Sequence, residues 1–146
     1  MKRSSFAIGV MLLCGCDFTS EPLRREREWK SQEIHDYSFV YTQLCFCGFN
    51  GPNPAVITVH NDVVTKVENP ISSVSGGVPI TGYPTIDGIF AIIANAKSHG
   101  ADELDVKYDN AYAFPKSIKI DYERHAVDDE VEYRIENFTV LSAGQE

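Results

Sequence analysis

Hydrophobic and polar positions alternate in two blocks of this chain, and each block is preceded by a stretch of helical character. Tyr37, Phe39 and Tyr41 alternate with Ser38, Val40 and Thr42, the period-two pattern of a half-buried strand. AVITVH and VVTKVEN flank Asn61-Asp62, which predicts two strands joined by a hairpin turn. Three more strands are predicted around Leu104-Val106-Tyr108, Ile118-Ile120-Tyr122 and Val131-Tyr133-Ile135. Between the blocks, Ile86, Ile89, Phe90, Ile93 and Ala94 recur at helical spacing behind Thr85, a suitable N-cap. Gly100 lies just past that helix, with Lys97 and His99 in its last turn, where the helix dipole favours cations. Ahead of the first block, Leu23 to about His35 is rich in helix formers, with Trp29 and Ile34 as a thin apolar face. GFNGPNP at 48–54 is turn chemistry, and 70–84 reads as a long loop rich in proline and glycine.

The order is therefore helix, three strands, helix, three strands. The halves share landmarks: Tyr41 precedes Pro54 and a strand pair ending Val67-Glu68-Asn69, while Tyr108 precedes Pro115 and a pair ending Ile135-Glu136-Asn137. These features predict an α+β domain over residues 23–146, a mainly antiparallel sheet covered by two helices. They also raise a duplicated helix-plus-three-strand unit, with coincidence between two short stretches as the alternative.

The N-terminus changes the picture. Lys2 and Arg3 precede an apolar run from Phe6 to Leu13, too short for a membrane-spanning helix, which needs about 20 residues. That order fits an export signal. Leu13-Cys14-Gly15-Cys16 resembles the lipobox of bacterial lipoprotein precursors, with Cys14 departing from the usual Ala, Ser or Thr. The resemblance implies that residues 1–15 are cleaved, that Cys16 carries a diacylglycerol, and that residues 16–22 form a tether. Each buried methylene contributes about 0.8 kcal/mol, so two or three acyl chains hold firmly where one is marginal. Asp17 resembles the inner-membrane retention signal of enteric-type Gram-negative lipoproteins. The expected location is the cell envelope, outside the cytoplasm, on the periplasmic face of the inner membrane in a Gram-negative cell.

Charge narrows the partners. The net charge is −8, and cleavage before Cys16 removes Lys2 and Arg3 and no acid, which leaves 131 residues at −10. That length suits one domain. The acidic balance argues against nucleic acid and against broad binding to anionic lipid heads, so acyl chains must supply the membrane attachment.

Trp29, Ile34, Tyr37, Phe39 and Tyr41, followed by Cys45-Phe46-Cys47, resemble an uncharacterised family of small bacterial exported proteins. Further matches are Thr85-Ile86-Asp87-Gly88-Ile89-Phe90, Tyr108-Asp109, Phe114-Pro115, Ile120-Asp121 and Asp128-Asp129-Glu130. The resemblance covers roughly Trp29 to Val140 and implies a fold and a location but no activity. Ala113 stands where the family pattern has Gly; if the backbone there needs positive φ, alanine is strained.

The chemistry of the sequence centres on Cys45 and Cys47, the two thiols left free in the mature chain. In a regular strand their Cα atoms lie about 6.6 Å apart, near the upper limit of about 6.8 Å for a disulfide, so pairing requires a kink. Regular alternation turns both thiols toward the core and leaves Leu44 and Phe46 on the outer side, which calls for a strand covered on both faces or for a bulge. A local structural disulfide is the preferred reading, with a redox-active dithiol and a metal thiolate as alternatives. His35, His60, His99 and His125 show no ligand spacing, and SGG at 75–77 lacks the context of a nucleophile elbow or phosphate loop. No cofactor or metal is expected. Asp128, Asp129, Glu130 and Glu132 form the densest charge cluster, joined in principle by Asp121 and Asp109. Asp105, Lys107, Asp109, Lys119, Asp121, Glu132, Arg134 and Glu136 alternate with the apolar set, as on a solvated sheet face or a face that binds a cationic partner. The expectation is a non-enzymatic, membrane-anchored envelope protein with a protein or other envelope component as partner. The alternative is a thiol–disulfide redox protein using Cys45 and Cys47.

Overall fold

The computed structural model describes residues 20–46, 48, 51–70, 79–124, 126 and 129–142. Its elements follow the predicted order: α1 (Glu21–Lys30), β1 (Tyr37–Leu44), β2 (Ala55–His60), β3 (Val63–Glu68), α2 (Ile86–Ser98), β4 (Glu103–Tyr108), β5 (Pro115–Asp121) and β6 (Val131–Val140). The strands form one antiparallel sheet in the order β3-β2-β1-β6-β5-β4. Both helices pack on one face of it, giving the expected α+β architecture. Of the predicted 70–84 loop, residues 71–78 lie outside the described residues, and 79–84 carry neither helix nor strand.

Local chemistry explains most boundaries. Asn61 and Asp62 have φ of 48° and 63°, as a two-residue hairpin with the right strand twist demands. Thr85 Oγ1 accepts the Gly88 N–H at 3.1 Å and starts α2, and Gly100 at φ 73° lets the chain leave it. The buried stripe of α2 is Ile86, Ile89, Phe90, Ile93 and Ala96. Ala94, expected on that stripe, is exposed. Ala96 lies seven residues from Ile89 and so stays on its face, whereas Ala94 is rotated off it.

α1 begins at Glu21 and stops at Lys30, short of His35. Pro22 fits in its first turn, where no intrahelical N–H bond is lost. Ser31 Oγ donates to the Glu28 carbonyl at 2.8 Å, Gln32 Nε2 donates to the Tyr112 carbonyl at 2.7 Å, and Glu33 takes φ 52°. These contacts stop the helix and turn the chain into β1.

The core lies between the helices and the sheet. Tyr37, Phe39 and Tyr41 of β1, Ala55, Ile57 and Val59 of β2, and Ile118 and Ile120 of β5 are buried against it. Trp29 is the buried residue of α1 and meets Tyr37, Phe114 and Phe138 edge-on, with centroids 5.5, 6.3 and 5.8 Å away. β6 is longer than its predicted Val131–Ile135 segment because a bulge resets its phase. The register shifts between Ser38↔Thr139 and Val40↔Glu136, and Asn137 takes φ 52°. The extra residue lets Ile135 and Phe138 face the same core despite their odd spacing.

The two halves repeat in element order but not in handedness. Passing from β1-β2-β3 to β4-β5-β6 shifts each strand three places across the sheet and reverses its direction, while both helices stay on one face. Only a reflection does that, so no rotation superposes one half on the other.

Ala113 adopts φ 63° while buried, in the turn that delivers Phe114 to Trp29 and Phe138. Asp109 Oδ1 holds this turn by accepting the Ala111 and Tyr112 N–H groups, each at 2.8 Å. A left-handed alanine costs about 1–2 kcal/mol. Glycine relieves that, against about 0.8 kcal/mol for a lost methyl and about 0.4–1 kcal/mol for a freer unfolded chain. Ala113→Gly is therefore expected to leave stability within about 0.8 kcal/mol of the wild type, with the urea midpoint close to unchanged. A loss above about 1 kcal/mol, ordinary for Ala→Gly in a helix, would refute the strain argument.

Candidate functional site

Successive strand residues point to opposite faces, so residues alternating with the core set project away from both helices. They include Val40 and Thr42 on β1, Asp105 and Lys107 on β4, Lys119 on β5, and Glu132 and Arg134 on β6. No helix among the described residues covers this face. At the end of the sheet where β1 leaves and β6 enters, it opens into a cleft of about 710 Å³. The cleft is lined by Gln43, Leu44, Cys45, Phe46, Asn53, Glu103, Lys119, Ile120, Asp121, Glu130, Val131 and Glu132.

The rows of this cleft are set by register. Glu132 stands opposite both Leu44 and Lys119, and Glu103 stands opposite Asp121. The end of β1 is held by a side chain imitating a strand. Asn53 Oδ1 accepts the Gln43 N–H at 2.9 Å while Asn53 Nδ2 donates to the Gln43 carbonyl. The loop bearing Asn53 is fixed in turn by Tyr83, whose hydroxyl donates to the Pro52 carbonyl at 2.9 Å. That hydroxyl occupies the place where a Cβ on Gly51 would stand, so this position requires glycine.

β1 stops at Leu44, and Cys45 and Phe46 follow in a bend. Among the described residues neither a second covering layer nor a bulge accommodates the outer apolar residues: Leu44 is 44% and Phe46 83% exposed. Cys45 is half-buried, with Gln43 Nε2 donating to its sulfur at 3.5 Å. Cys47 lies outside the described residues, as do Cys16, Asp17, SGG at 75–77, His125 and Asp128.

The carboxylates divide into neutralised and open groups. Arg134 Nε donates to Glu132 Oε1 at 2.6 Å, and this bond holds the Glu132 carboxyl below the usual range, helped by the Arg134 and Lys119 charges. Glu103, Asp121 and Glu130 form no ion pair among the described residues. Asp121 Oδ1 is shut off from solvent and has no hydrogen-bond partner among them. Of the predicted acidic cluster, Asp121, Glu130 and Glu132 do converge. Asp109 sits at the other end of β4, and Asp129 caps a turn by accepting the Glu123 N–H at 2.7 Å. Glu103 was not in the predicted cluster, because only the β4–β5 register brings it to Asp121.

The three described histidines serve the structure. His35 Nδ1 meets Asp62 Oδ2 at 2.8 Å and His60 Nδ1 meets Asp36 Oδ1 at 3.1 Å, at the β2–β3 turn. His99 Nδ1 reaches the Asn95 carbonyl at the end of α2. Asp36 also accepts the Asn61 N–H, and that bond, with the one to His60, lowers its pKa. Among the described residues no group of His, Cys, Asp and Glu has metal-binding geometry, and no helix is long and apolar enough to cross a membrane.

Residues 23–140 match the model of a family of unknown function, DUF6174. The chain belongs to that family. The DUF6174 match takes in every element except the first two residues of α1 and ends at the last residue of β6. It includes the whole cleft and leaves out residues 1–22, which carry the expected signal and tether. No curated protein and no solved structure matches the chain.

Proposed function

We propose that this protein is a lipid-anchored component of the cell envelope, facing outside the cytoplasm, whose domain works as a non-enzymatic binding module. The observation carrying this reading is the arrangement of the two ends of the sheet. α1 packs at one end, with Trp29 on Tyr37 and Arg25 stacked 5.4 Å over the Tyr108 ring. The cleft opens at the other, beyond the last residues of β1 and β5. Four residue steps separate Cys16 from Ser20, a reach of at most about 14 Å. Lipidation of Cys16 would hold the α1 end near the bilayer and present the cleft away from it, about 27 Å along an eight-residue strand.

In the exported, processed chain the partner left for Cys45 is Cys47, and the bend at Cys45–Phe46 supplies the kink that such close pairing needs. The surroundings disfavour thiol catalysis. A reactive cysteine needs its thiolate stabilised by a cation or a helix N-terminus. Cys45 instead borders a cleft where the acids Glu103, Asp121, Glu130 and Glu132 outnumber Lys119, itself 4.0 Å from Glu132, with exposed Leu44 and Phe46 beside it.

Radiolabelled palmitate fed to bacteria expressing the full chain is expected to enter the wild-type protein and not Cys16→Ser. Alkylation of the same exported wild-type protein without reductant should add no mass at Cys45 or Cys47. Label retained in Cys16→Ser would remove the anchor, and quantitative alkylation would reopen the redox reading.

A further inference from the structure

The geometry points to the open-face cleft as a docking site for a protein segment in which lysine or arginine stands beside a large apolar side chain. This deepens the binding-module reading and rests on it. Phe46 and Leu44 offer apolar surface on one wall, and at 83% exposure Phe46 contributes little to the packing of its own domain. Facing them are Glu103, Asp121 and Glu130, none ion-paired among the described residues, while the nearby cation Lys119 lies 4.0 Å from the already neutralised Glu132. Three carboxylates with no cation of their own among those residues are the charge complement of an incoming ammonium or guanidinium. The volume of about 710 Å³ falls within the range of about 300–1,000 Å³ usual for ligand sites. An anionic lipid surface fits neither the charge nor the position, because the cleft lies at the sheet end opposite α1.

The test is fluorescence anisotropy of the full chain with labelled peptides. One alternates lysine with phenylalanine, one glutamate with phenylalanine, and one lysine with serine. The lysine–phenylalanine peptide is expected to bind at least about tenfold more tightly than the others, and more weakly as salt rises. Phe46→Ala and the double variant Asp121→Asn with Glu130→Gln should each weaken it about tenfold. Glu68→Gln, at the far edge of the sheet, should not. Thermal melts confirm that each variant folds. Equal binding of the glutamate peptide, no binding, or affinity indifferent to the cleft variants would overturn the proposal. Phe46-dependent binding to phosphatidylglycerol vesicles would do so too, by assigning the apolar wall to a membrane. An envelope protein crosslinked elsewhere on the domain would sink this cleft and leave the binding-module reading standing, whereas failed palmitate labelling would sink only the anchor.

Discussion

Trp29→Ala is expected to remove about 3–5 kcal/mol of folding stability, the usual cost of emptying a buried aromatic site. The effect is large because α1 has few other attachments. Trp29 is its buried residue, Leu23 is half-exposed, Arg24 pairs with Glu28 and Lys30 with Glu26 on the solvent side, and Arg25 adds a stack over the Tyr108 ring. A ten-residue helix has marginal stability by itself, so its order comes from the ring set between Tyr37, Phe114 and Phe138. A typical domain holds only about 5–15 kcal/mol in total. Urea unfolding followed by circular dichroism measures the loss, since the variant lacks the chain's single tryptophan as a fluorescent reporter. Amide exchange should show α1 unprotected while β1 and β6 remain protected. A cost below about 1 kcal/mol would mean that α1 is held by something other than this ring.

Much of the fold was legible because local and long-range demands agree. β1 alternates cleanly since one face meets helices and the other does not. Asn61-Asp62 tolerates left-handed backbone, and Thr85 caps α2 as its side chain permits. Legibility failed where a single residue breaks the period. Asn137 inserts a bulge, so Phe138 looks out of phase with Ile135 although both face the core. The end of α1 was misplaced because Gln32 is drawn to the Tyr112 carbonyl, 80 positions away, a contact invisible to any local window.

The cleft was legible by halves. Alternation from Tyr37 already put Leu44 and Phe46 on the outer side, and alternation in β5 and β6 put their charged residues on a solvated face; that the two sets are neighbours follows only from the β1–β6 pairing. The unexpected feature was that no described residue covers the two apolar side chains, which stay exposed. Which acids converge depends on register: Glu103 reaches Asp121 across the β4–β5 ladder, while Asp109, equally prominent in sequence, is turned to hold the loop before β5. Asn53 carried no signal at all. Its role, satisfying both backbone groups of Gln43, appears only when the 51–54 turn folds back onto β1.

Tyr37→Phe tests a different contact and is expected to cost about 1–3 kcal/mol with almost no change in packing. Tyr37 is fully buried, and its hydroxyl oxygen accepts the Ile86 N–H at 3.0 Å. Ile86 is the first residue of α2, whose opening N–H groups have no partner within the helix. Thr85 serves Gly88, so Tyr37 is left to serve Ile86 from across the core. Burial pushes the Tyr37 hydroxyl up to about 12, and it therefore stays protonated and neutral at physiological pH. Phenylalanine would fill the same volume but strand the buried amide. Tyr108→Phe is the matched comparison: that ring is also buried and stacks on Phe90, but its hydroxyl has no hydrogen-bond partner among the described residues. Removing a hydroxyl already unpaired should be neutral or slightly stabilising. Urea titrations of the two variants, at unchanged slope, should therefore move in opposite directions or differ by at least about 1 kcal/mol. Faster exchange at the first turn of α2 in Tyr37→Phe alone would locate the effect at Ile86. Equal midpoints for the two variants would mean that the bond from Ile86 to Tyr37 does not anchor the start of α2.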